Sequence, residues 1–335
     1  MILVCGGAGY IGSHMVDALL KAGRKVIVLD NLQSGHREAV KAEAVFCRGD
    51  VRDQALLDDI MGRGVTAVVH FAASSLVGES MEKPLDYYGN NVHGMEVLLK
   101  AMVKSGVGRI IFSSSAAVYG EPDQVPIPEN AATRPTNPYG ETKLAMEKMI
   151  GWAEKAHGLK YTSLRYFNVA GALSDGSLGE DHHPETHLIP LVLQVPLGQR
   201  EFIGVFGDDY PTPDGTCIRD YVHVGDLAEA HLLALGRLEN GGDSAIFNLG
   251  SSTGLSVMEI INKAEEVTGQ KIPRKIMPRR LGDPARLVAD SSLAREILGW
   301  RPRFERADDI IATAWAWHSR HPQGFGGHKD KPCTK

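Results

Sequence analysis

The stretch Gly6-Gly7-Ala8-Gly9-Tyr10-Ile11-Gly12 lies between the apolar run Ile2–Cys5 and an amphipathic pattern over residues 12–22. Its Gly-x-x-Gly-x-x-Gly spacing is a shifted relative of the Gly-x-Gly-x-x-Gly fingerprint of dinucleotide-binding folds. Glycines there permit a tight turn and let a pyrophosphate approach the unpaired N–H groups of a helix N-terminus. Alone, the triplet also fits a plain strand-to-helix turn, but its position after a strand and before a helix predicts a dinucleotide site.

An acidic residue supports this interpretation. Asp30 closes the second apolar run, 18 residues after Gly12. A carboxylate at this place accepts hydrogen bonds from the adenosine ribose hydroxyls and repels a 2′-phosphate. We therefore expect NAD rather than NADP. NADP is the alternative, because Arg37 in the following loop could bind a 2′-phosphate.

Short apolar runs alternate with longer helical patterns over the first half of the chain. Nearly continuous apolar strands joined by crossover helices predict a parallel sheet covered on both faces. The predicted fold class is therefore α/β: a doubly wound (Rossmann) parallel sheet with a smaller C-terminal α/β lobe, and with ligands at the carboxyl ends of the strands. The apolar runs cover residues 2–5, 26–29, 44–47, 67–71, 109–113 and 162–166, and the helical patterns cover 53–61, 85–105 and 138–157.

The pattern loosens after residue 168, where two long segments, 171–187 and 207–217, are rich in Gly, Asp, Pro and His. Irregular loops of that length are usually functional. The predicted organisation is an NAD-binding domain over 1–168 with a return segment near 218–235, a substrate-binding domain over 169–320 that includes the strand 245–249 and the helix 256–267, and a disordered tail over 321–335.

Composition excludes several classes of protein. The formal net charge is -5 and no basic stripe is present, so the electrostatic footprint of a nucleic-acid-binding protein is missing. No apolar run reaches the roughly 18 residues of a membrane span. We expect no secretory signal, because Met1–Cys5 enters an apolar segment without a basic region or a small-residue cleavage site. The four cysteines form no Cys-x-x-Cys pair. These features favour a cytoplasmic protein without membrane or nucleic-acid partners.

Two further segments fit a dinucleotide site. Asp50 and Val51 follow the third apolar run and are candidates for contact with the adenine. Phe71, Ala72 and Ala73 end the fourth run with small residues that permit close approach of a cofactor. Taken singly, a turn aspartate and a packed alanine pair are the commoner explanations, so these residues count only as members of the set.

A tyrosine and a lysine four residues apart form the candidate catalytic pair. Tyr139 and Lys143 share one face of the helix over 138–157, and Ser115 lies just past the end of the fifth apolar run. A hydroxyl group is deprotonated efficiently by a base with a pKa near 7. Lowering the pKa of tyrosine from about 10 to that value requires roughly 4 kcal/mol of preferential stabilisation of the phenolate. We expect Lys143, together with the charge of bound NAD+, to supply it.

These motifs together resemble the extended short-chain dehydrogenase/reductase family, and more closely its UDP-hexose 4-epimerase branch. The resemblance covers residues 1–323. The glycine loop and the Tyr/Lys pair identify only the superfamily, whereas later motifs are specific to the branch. Those specific motifs are Leu-Arg-Tyr-Phe-Asn (164–168), Phe-Gly-Asp-Asp-Tyr-Pro-Thr-Pro-Asp-Gly-Thr (206–216), Arg-Asp-Tyr-Val-His-Val (219–224) and Arg-His-Pro-Gln-Gly (320–324).

The resemblance implies interconversion of UDP-glucose and UDP-galactose through a transient 4-keto sugar, with NAD as a tightly held, recycled cofactor. It implies that Tyr139 removes the proton of the 4-hydroxyl, that Ser115 holds the 4-oxygen, and that Lys143 binds the nicotinamide ribose and lowers the tyrosine pKa. It also implies a homodimer through the helices over 85–105 and 138–157.

With the resemblance, the predicted site has two sets of residues besides the catalytic Ser115, Tyr139 and Lys143. The cofactor set is Gly6, Gly9, Tyr10, Ile11, Gly12, Asp30, Asn31, Asp50, Val51, Phe71, Ala72, Ala73, Asn91, Ser113, Tyr139, Lys143 and Tyr166. The substrate set is Ser115, Tyr139, Asn168, His187, Leu188, Arg219, Arg280, Asp283 and Leu287.

Three positions depart from the best-known members of the branch. Ser75 stands where some carry a lysine near the cofactor phosphates, and His187 stands where a substrate-binding asparagine is found. Leu287 replaces a large tyrosine, and we expect the smaller side chain to admit the acetamido group of UDP-GlcNAc. His182, His183 and His187 raise the question of a metal, but no supporting Cys or carboxylate set is evident, so no metal is expected.

Two alternatives to this function remain from the sequence. One is another UDP-sugar 4-epimerase, acting on UDP-GlcNAc or a UDP-pentose. The other is a catalytically silent NAD-binding regulator, which the presence of Ser115, Tyr139 and Lys143 disfavours. A dehydratase is disfavoured because Ala116 and Ala117 stand where its acid/base pair is expected.

Overall fold

The computed structural model describes residues 1–280 and 283–326. Its strands are β1 (Ile2–Cys5), β2 (Val26–Asp30), β3 (Val45–Arg48), β4 (Ala67–His70), β5 (Arg109–Ser115), β6 (Lys160–Tyr166), β7 (Asn168–Ala170), β8 (Ile203–Phe206), β9 (Ile218–Arg219), β10 (Tyr221–His223), β11 (Ala245–Leu249), β12 (Leu255–Ser256), β13 (Arg274–Met277) and β14 (Arg286–Leu287). Its α-helices are α1 (Tyr10–Lys21), α2 (Gln54–Met61), α3 (Val77–Glu82), α4 (Pro84–Tyr87), α5 (His93–Ser105), α6 (Pro138–His157), α7 (Leu188–Leu193), α8 (Val224–Glu239), α9 (Val257–Thr268), α10 (Ser292–Ile297) and α11 (Ala307–Arg320).

Seven of the described strands form one parallel sheet, in the order β11-β6-β5-β4-β1-β2-β3. The chain leaves β1 toward β2 and β3 on one side and continues through β4, β5 and β6 on the other. The carboxyl ends of β1 and β4 therefore border the point where the winding reverses, which is where doubly wound folds bind ligands. The predicted fold class is confirmed.

Two buried apolar layers cover the faces of this sheet. One contains Met15 and Leu19 of α1 together with Leu227 and Leu235 of α8. The other contains residues of α2, α5 and α6. Because α8 packs beside α1, the segment near 218–235 lies against the first sheet even though it follows the substrate loops in sequence.

The strand over 245–249 is placed differently from the sequence expectation, which assigned it to the smaller lobe. In the structure β11 pairs with β6 in parallel, Phe247 opposite Leu164, and forms an edge of the main sheet. Its apolar run fits either sheet equally well, so periodicity could not decide between them. The fold places it by burying Phe247 and Leu249 with Trp300 in the layer of α1 and α8.

The smaller lobe is built from short paired strands and three helices. β8 pairs with β13, β9 pairs with β12 and β14, and β7 pairs with β10. Helices α7, α9 and α11 pack on one another around a separate apolar core that includes Ile189, Ile261 and Ile311.

Part of the segment predicted to be a disordered tail is packed in the structure. Phe325 packs against Trp317 and stacks on His36, and its N–H donates to a carboxylate oxygen of Asp181 at 3.0 Å. Residues 321–326 are therefore held by aromatic contacts that a composition rich in Gly and polar residues does not reveal. The rest of that predicted tail, 327–335, lies outside the described residues.

Within residues 1–280 and 283–326, the helices are all too short or too polar to cross a lipid bilayer.

Candidate active site

The glycine loop closes tightly around its own backbone. A Cβ on Gly6, whose φ is +79°, would lie 2.6 Å from the amide nitrogen of Ala72, and a Cβ on Gly12 would lie 2.0 Å from the carbonyl oxygen of Gly6. The loop therefore excludes side chains at both positions and leaves backbone N–H groups at the start of α1. This is the cradle that a pyrophosphate requires.

Asp30 couples this loop to the end of β2. Its carboxylate accepts hydrogen bonds from the N–H groups of Ala8 and Leu32, both at 2.9 Å. Burial nevertheless raises the pKa of Asp30 above its ordinary value. The side chain thus positions the loop, and its contact with a cofactor ribose stays a prediction.

Asn31 and Asp50 form a small polar group at the same sheet edge. Asn31 donates to Asp50 at 3.1 Å, and Arg52 donates to Asp50 through both its backbone and its guanidinium. These hydrogen bonds hold the pKa of Asp50 well below its usual range. Arg52, which the sequence analysis did not select, is therefore part of this group.

The remaining cofactor candidates surround the loop. Phe71 and Ala72 donate their N–H groups to the carbonyl of Cys5, which places the end of β4 directly beside the glycine turn. Val51 is buried in the layer on the α5 side of the sheet. Ile11 packs in the opposite layer, and Ala73 continues the chain past Ala72.

The side chain of Tyr10 reaches beyond the glycine loop. Its hydroxyl donates to the carbonyl of Gly171 at 2.6 Å, so the side chain ties the phosphate loop to the first substrate loop.

The predicted helical stretch over 85–105 is helical in the structure, but it contains a π-helical turn. Residues 88–92 form a π-helical turn between α4 and α5. This turn buries Asn91, whose amide donates to Thr142 at 3.0 Å and whose oxygen accepts from the N–H of Ser74 at 2.8 Å. Such turns are frequent at functional sites, and this one joins a predicted cofactor residue to the catalytic helix.

Helix α6 is positioned by its first residues. Asn137 caps it by accepting from the N–H of Gly140 at 2.9 Å, and Pro138 occupies its first turn. A Cβ on Gly140 would lie 2.5 Å from the carbonyl oxygen of Ala117. The start of α6 therefore lies directly against the turn that follows β5.

The predicted catalytic residues meet at this contact. Ser115 ends β5 opposite Tyr166 of β6, and the hydroxyls of Ser113 and Tyr166 are hydrogen-bonded to each other. The Lys143 ammonium donates to the carbonyl of Ser113 at 2.8 Å and lies 5.8 Å from the centre of the Tyr139 ring.

The electrostatics of the chain alone oppose the expected activation of Tyr139. Burial raises the pKa of Tyr139, and a hydrogen bond with Ser115 only partly offsets the rise. Burial also lowers the pKa of Lys143 to about 7, against the opposing charge of Glu147. The expectation that Lys143 lowers the tyrosine pKa is therefore not met by the protein residues alone, because desolvation disfavours both charged forms.

A buried polar network behind the catalytic helix was missed by the sequence analysis. Arg165 and Glu147 form an ion pair at 2.6 Å, and Ser114 donates to the same carboxylate. Arg165 also donates to the hydroxyl of Tyr119, which donates to Asn248 at 2.7 Å. The sequence spacing could have indicated Glu147. It follows Lys143 by four residues, as Lys143 follows Tyr139, so all three share one helix face.

The candidate substrate residues gather in the smaller lobe. Arg219 donates to Asp283 at 2.8 Å, and the pairing of β9 with β14 sets Arg219 opposite Leu287. Leu287 packs against the apolar cluster that contains Val118 and Tyr119, in the turn after Ser115. The pairing of β9 with β14 thus carries these substrate residues to the catalytic turn.

Three other substrate candidates lie on neighbouring elements. Asn168 begins β7, where its N–H donates to the carbonyl of Asp220 at 2.9 Å, and the Arg280 guanidinium lies 4.0 Å from the centre of the Phe206 ring. Leu188 is the first residue of α7.

His187 lies in a group of His and Glu residues. Its Nδ1 is 2.6 Å from a carboxylate oxygen of Glu180, and His182 and Glu185 complete the group. The carboxylates that the sequence analysis found missing are therefore present: they are Glu180 and Glu185. The reason given for expecting no metal was wrong, because Glu180 precedes the histidines and Glu185 lies between them on a folded loop.

Comparison with known proteins places the chain in a family. Residues 2–250 match the NAD dependent epimerase/dehydratase family. Since this match covers well over half of the chain, the protein belongs to that family.

The most similar relatives considered are all UDP-glucose 4-epimerases. The enzyme of Lacticaseibacillus casei is 58% identical over 97% of this chain and 98% of its own length, and that of Halalkalibacterium halodurans is 56% identical over 98% and 99%. These matches confirm the predicted family and enzyme class.

Solved structures of UDP-sugar 4-epimerases also match this chain. A UDP-glucose 4-epimerase structure matches with a TM-score of 0.96 at 58% identity, over 97% of this chain and 99% of that one. The Bifidobacterium longum enzyme in complex with NAD+ and UDP matches with a TM-score of 0.90 at 40% identity, over 96% and 99%. The UDP-Glc/GlcNAc 4-epimerase of Campylobacter jejuni matches with a TM-score of 0.84 at 40% identity, over 95% and 99%. The prediction of NAD as the cofactor is confirmed.

The glycine cradle makes a direct prediction about cofactor binding. Gly12→Ala is expected to weaken NAD binding by about tenfold or more, since overpacking costs about 1–3 kcal/mol and about 1.4 kcal/mol is a factor of ten. The NAD released on denaturation of the purified variant measures the loss. Gly236→Ala is the matched control, because a Cβ on Gly236 meets nothing within 4 Å. Full NAD content in Gly12→Ala would contradict the assignment of the cradle.

Proposed function

We propose that the protein interconverts UDP-glucose and UDP-galactose by inverting C4 of the hexose, with NAD as a bound and recycled cofactor. The observation that carries this proposal is the meeting of Tyr139 and Lys143 on α6 with Ser113 and Ser115 on β5, at the sheet edge that also holds the glycine cradle.

The residues of the chain supply proton transfer and orientation. The Tyr139 phenolate takes the proton of the sugar 4-hydroxyl, and the resulting phenol returns it when the 4-keto group is reduced. Ser115 is hydrogen-bonded to Tyr139 and lies at the end of β5, from where it orients the 4-oxygen. Bound NAD+ supplies the acceptor of the C4 hydride, its donor on return, and a positive charge near Tyr139.

Lys143 has two tasks that follow from its burial. Its ammonium is fixed by the carbonyl of Ser113, so it approaches a ribose hydroxyl and the tyrosine from a defined direction. Because the low-dielectric surroundings leave its charge poorly solvated, the charge acts strongly on a nearby phenolate. Both tasks need Lys143 protonated, although burial lowers its pKa to about 7.

The smaller lobe anchors the nucleotide. Arg219 and Arg280 carry guanidinium groups suited to bidentate contacts with a pyrophosphate. Asp283 pairs with Arg219 in the structure, and the family resemblance implies that it approaches the uridine ribose. An anchor on the diphosphate lets the 4-keto sugar turn over in the site without leaving it, so that hydride returns to the opposite face.

Replacing the base tests the proposed reaction. Purified protein is expected to convert UDP-galactose to UDP-glucose without added NAD, and Tyr139→Phe is expected to lower kcat by about 10²–10⁴-fold, the usual contribution of a positioned acid/base group. The conversion is followed by separation of the two UDP-hexoses. Tyr161→Phe, on β6, is the matched control. Wild-type protein that is as inert as Tyr139→Phe would overturn the proposal and favour the silent NAD-binding regulator.

We further propose that the sugar pocket accepts UDP-GlcNAc. Leu287 borders the catalytic turn, and its small side chain leaves space that a tyrosine would fill. The similarity to the UDP-Glc/GlcNAc enzyme of Campylobacter jejuni supports this proposal. UDP-pentose substrates stay an alternative, which the same assay with UDP-arabinose examines.

The Leu287→Tyr variant is expected to lose UDP-GlcNAc conversion by about 10–200-fold, the range that steric discrimination in a pocket provides. Conversion of UDP-galactose by the same variant is its internal control and is expected to remain. Wild-type turnover of UDP-GlcNAc below about one-thousandth of the UDP-glucose rate would contradict the proposal. So large a preference for UDP-glucose exceeds steric discrimination and would mean that the pocket excludes the acetamido group.

We propose a homodimer through the outer faces of α4 and α6. Leu85 on α4 is 81% exposed and Trp152 on α6 is 67% exposed. Large apolar side chains with that exposure indicate an interaction surface. The sedimentation coefficient is expected to be that of a dimer and to fall to that of a monomer in Leu85→Glu/Trp152→Glu; a wild-type monomer would contradict this interface.

We place this enzyme in the cytoplasm. The described cysteines Cys5, Cys47 and Cys217 are all free thiols, which suits a reducing compartment.

A further inference from the structure

Four side chains converge on the loop that connects β7 to α7. Glu180, His182, Glu185 and His187 each present one possible ligand atom, and these atoms all lie within 4.8 Å of one another. Both histidines direct Nδ1 at both glutamates. His182 Nδ1 lies 3.2 Å from Glu180 and 3.7 Å from Glu185, and His187 Nδ1 lies 2.6 Å from Glu180 and 3.5 Å from Glu185.

These separations suit a four-coordinate metal ion. With metal–ligand bonds of 2.0–2.2 Å, the ligand atoms of a tetrahedral site lie about 3.3–3.6 Å apart. The His182–Glu180 distance is close to that range. The two Glu185 distances run to different oxygens of its carboxylate, Oε2 toward His182 and Oε1 toward His187, so a bound metal would turn this carboxylate to present one oxygen. The His187–Glu180 distance is a hydrogen-bond distance that a metal would widen.

One nitrogen in the group lacks an adequate partner. His182 Nδ1 is buried and, within the described residues, makes no hydrogen bond of acceptable geometry, although two carboxylates lie near it. A buried polar atom without a hydrogen bond is costly. An ion at the centre of the group satisfies this nitrogen directly.

The charge of the group can be balanced by two protonated rings or by one divalent ion. Glu180 is 3% exposed, and Glu185 contributes a second carboxylate to the group. The centres of the His182 and His187 rings are 5.3 Å apart, so protonating both rings to balance the carboxylates places two like charges side by side. A divalent ion balances the carboxylates with both rings neutral, which is the form in which histidine binds metals.

The surroundings hold the ligands in place and give access to them. The indole N–H of Trp317 donates to the carbonyl of Glu180 at 3.2 Å, and the Tyr10 ring meets the His182 ring edge-on. A cavity of about 350 Å³ is lined by Glu180, His182 and Glu185, and also by His318 and His321. An ion from solvent can therefore reach the group.

We propose that Glu180, His182, Glu185 and His187 bind one divalent transition-metal ion, Zn²⁺ by their donor set. Two imidazole nitrogens and two carboxylate oxygens fit Zn²⁺, whereas Ca²⁺ and Mg²⁺ take oxygen ligands. Four protein ligands close the coordination shell, so the ion is structural. The ion fixes the loop over 180–187. This loop contacts the glycine loop through the ring of Tyr10 and contacts α11 through the indole of Trp317.

Metal analysis of the untagged, full-length protein tests this proposal. The protein is stripped with a chelator, titrated with Zn²⁺ alone, desalted and analysed by atomic emission. About one Zn²⁺ per chain is expected, as for a structural site with four ligands, and Co²⁺ in its place is expected to give the visible absorption of a tetrahedral centre. The melting temperature is expected to rise on Zn²⁺ addition.

Variants locate the ion. His182→Ala and Glu185→Gln are expected to lose the bound Zn²⁺ and the Co²⁺ spectrum, and His183→Ala, an exposed neighbour outside the four, is expected to keep both. If the variants do not fold, the Co²⁺ spectrum of the wild-type protein decides by itself. Less than about a tenth of an equivalent of Zn²⁺ in the wild type, or full Zn²⁺ retention in both ligand variants, would show an ion-paired His–Glu cluster only and overturn the proposal.

Discussion

The site depends on burying a lysine ammonium beside a tyrosine hydroxyl. Lys143 reaches this place because α6 starts against the turn after β5, and the carbonyl of Ser113 holds its head at 2.8 Å. The same burial that positions the pair raises the pKa of Tyr139 and lowers that of Lys143. The protein therefore places Tyr139 and Lys143 in the geometry that proton transfer needs, while burial disfavours both the phenolate and the ammonium. The positive charge of bound NAD+ therefore has to add to that of Lys143 to activate the tyrosine.

The rest of the fold serves this arrangement. The glycine cradle, Asp30 and the end of β4 place a dinucleotide at the switch point of the sheet, one strand away from β5. The ion pair of Arg165 with Glu147 locks α6 to β6 from behind, and removing one partner of such a buried pair costs about 3–5 kcal/mol. The smaller lobe then brings Arg219 and Leu287 to the catalytic turn through the pairing of β9 with β14.

The sequence predicted those features whose residues are close together along the chain. The strand–glycine loop–helix unit and the Tyr139/Lys143 spacing each lie within one or two elements, so their periodicity and turn chemistry are sufficient. The position of β11, the Arg165–Glu147–Tyr119–Asn248 network and the His–Glu group depend on residues that meet only after folding. Glu185 was not recognised as a possible ligand because its relation to His182 is set by the path of the loop. The pKa of Tyr139 could not be predicted either, since it depends on how deeply the ring is buried.

The most direct test of the central claim is a spectroscopic titration of Tyr139 in the NAD-loaded protein. The phenolate absorbance of wild-type protein minus that of Tyr139→Phe isolates this residue, with bound cofactor held either oxidised or reduced. The account predicts a Tyr139 pKa below the ordinary value of about 10 with NAD+ bound, and a pKa above it when reduction removes the positive charge of the nicotinamide. The same Tyr139 pKa in both redox states would contradict the claim that the cofactor supplies the activating charge.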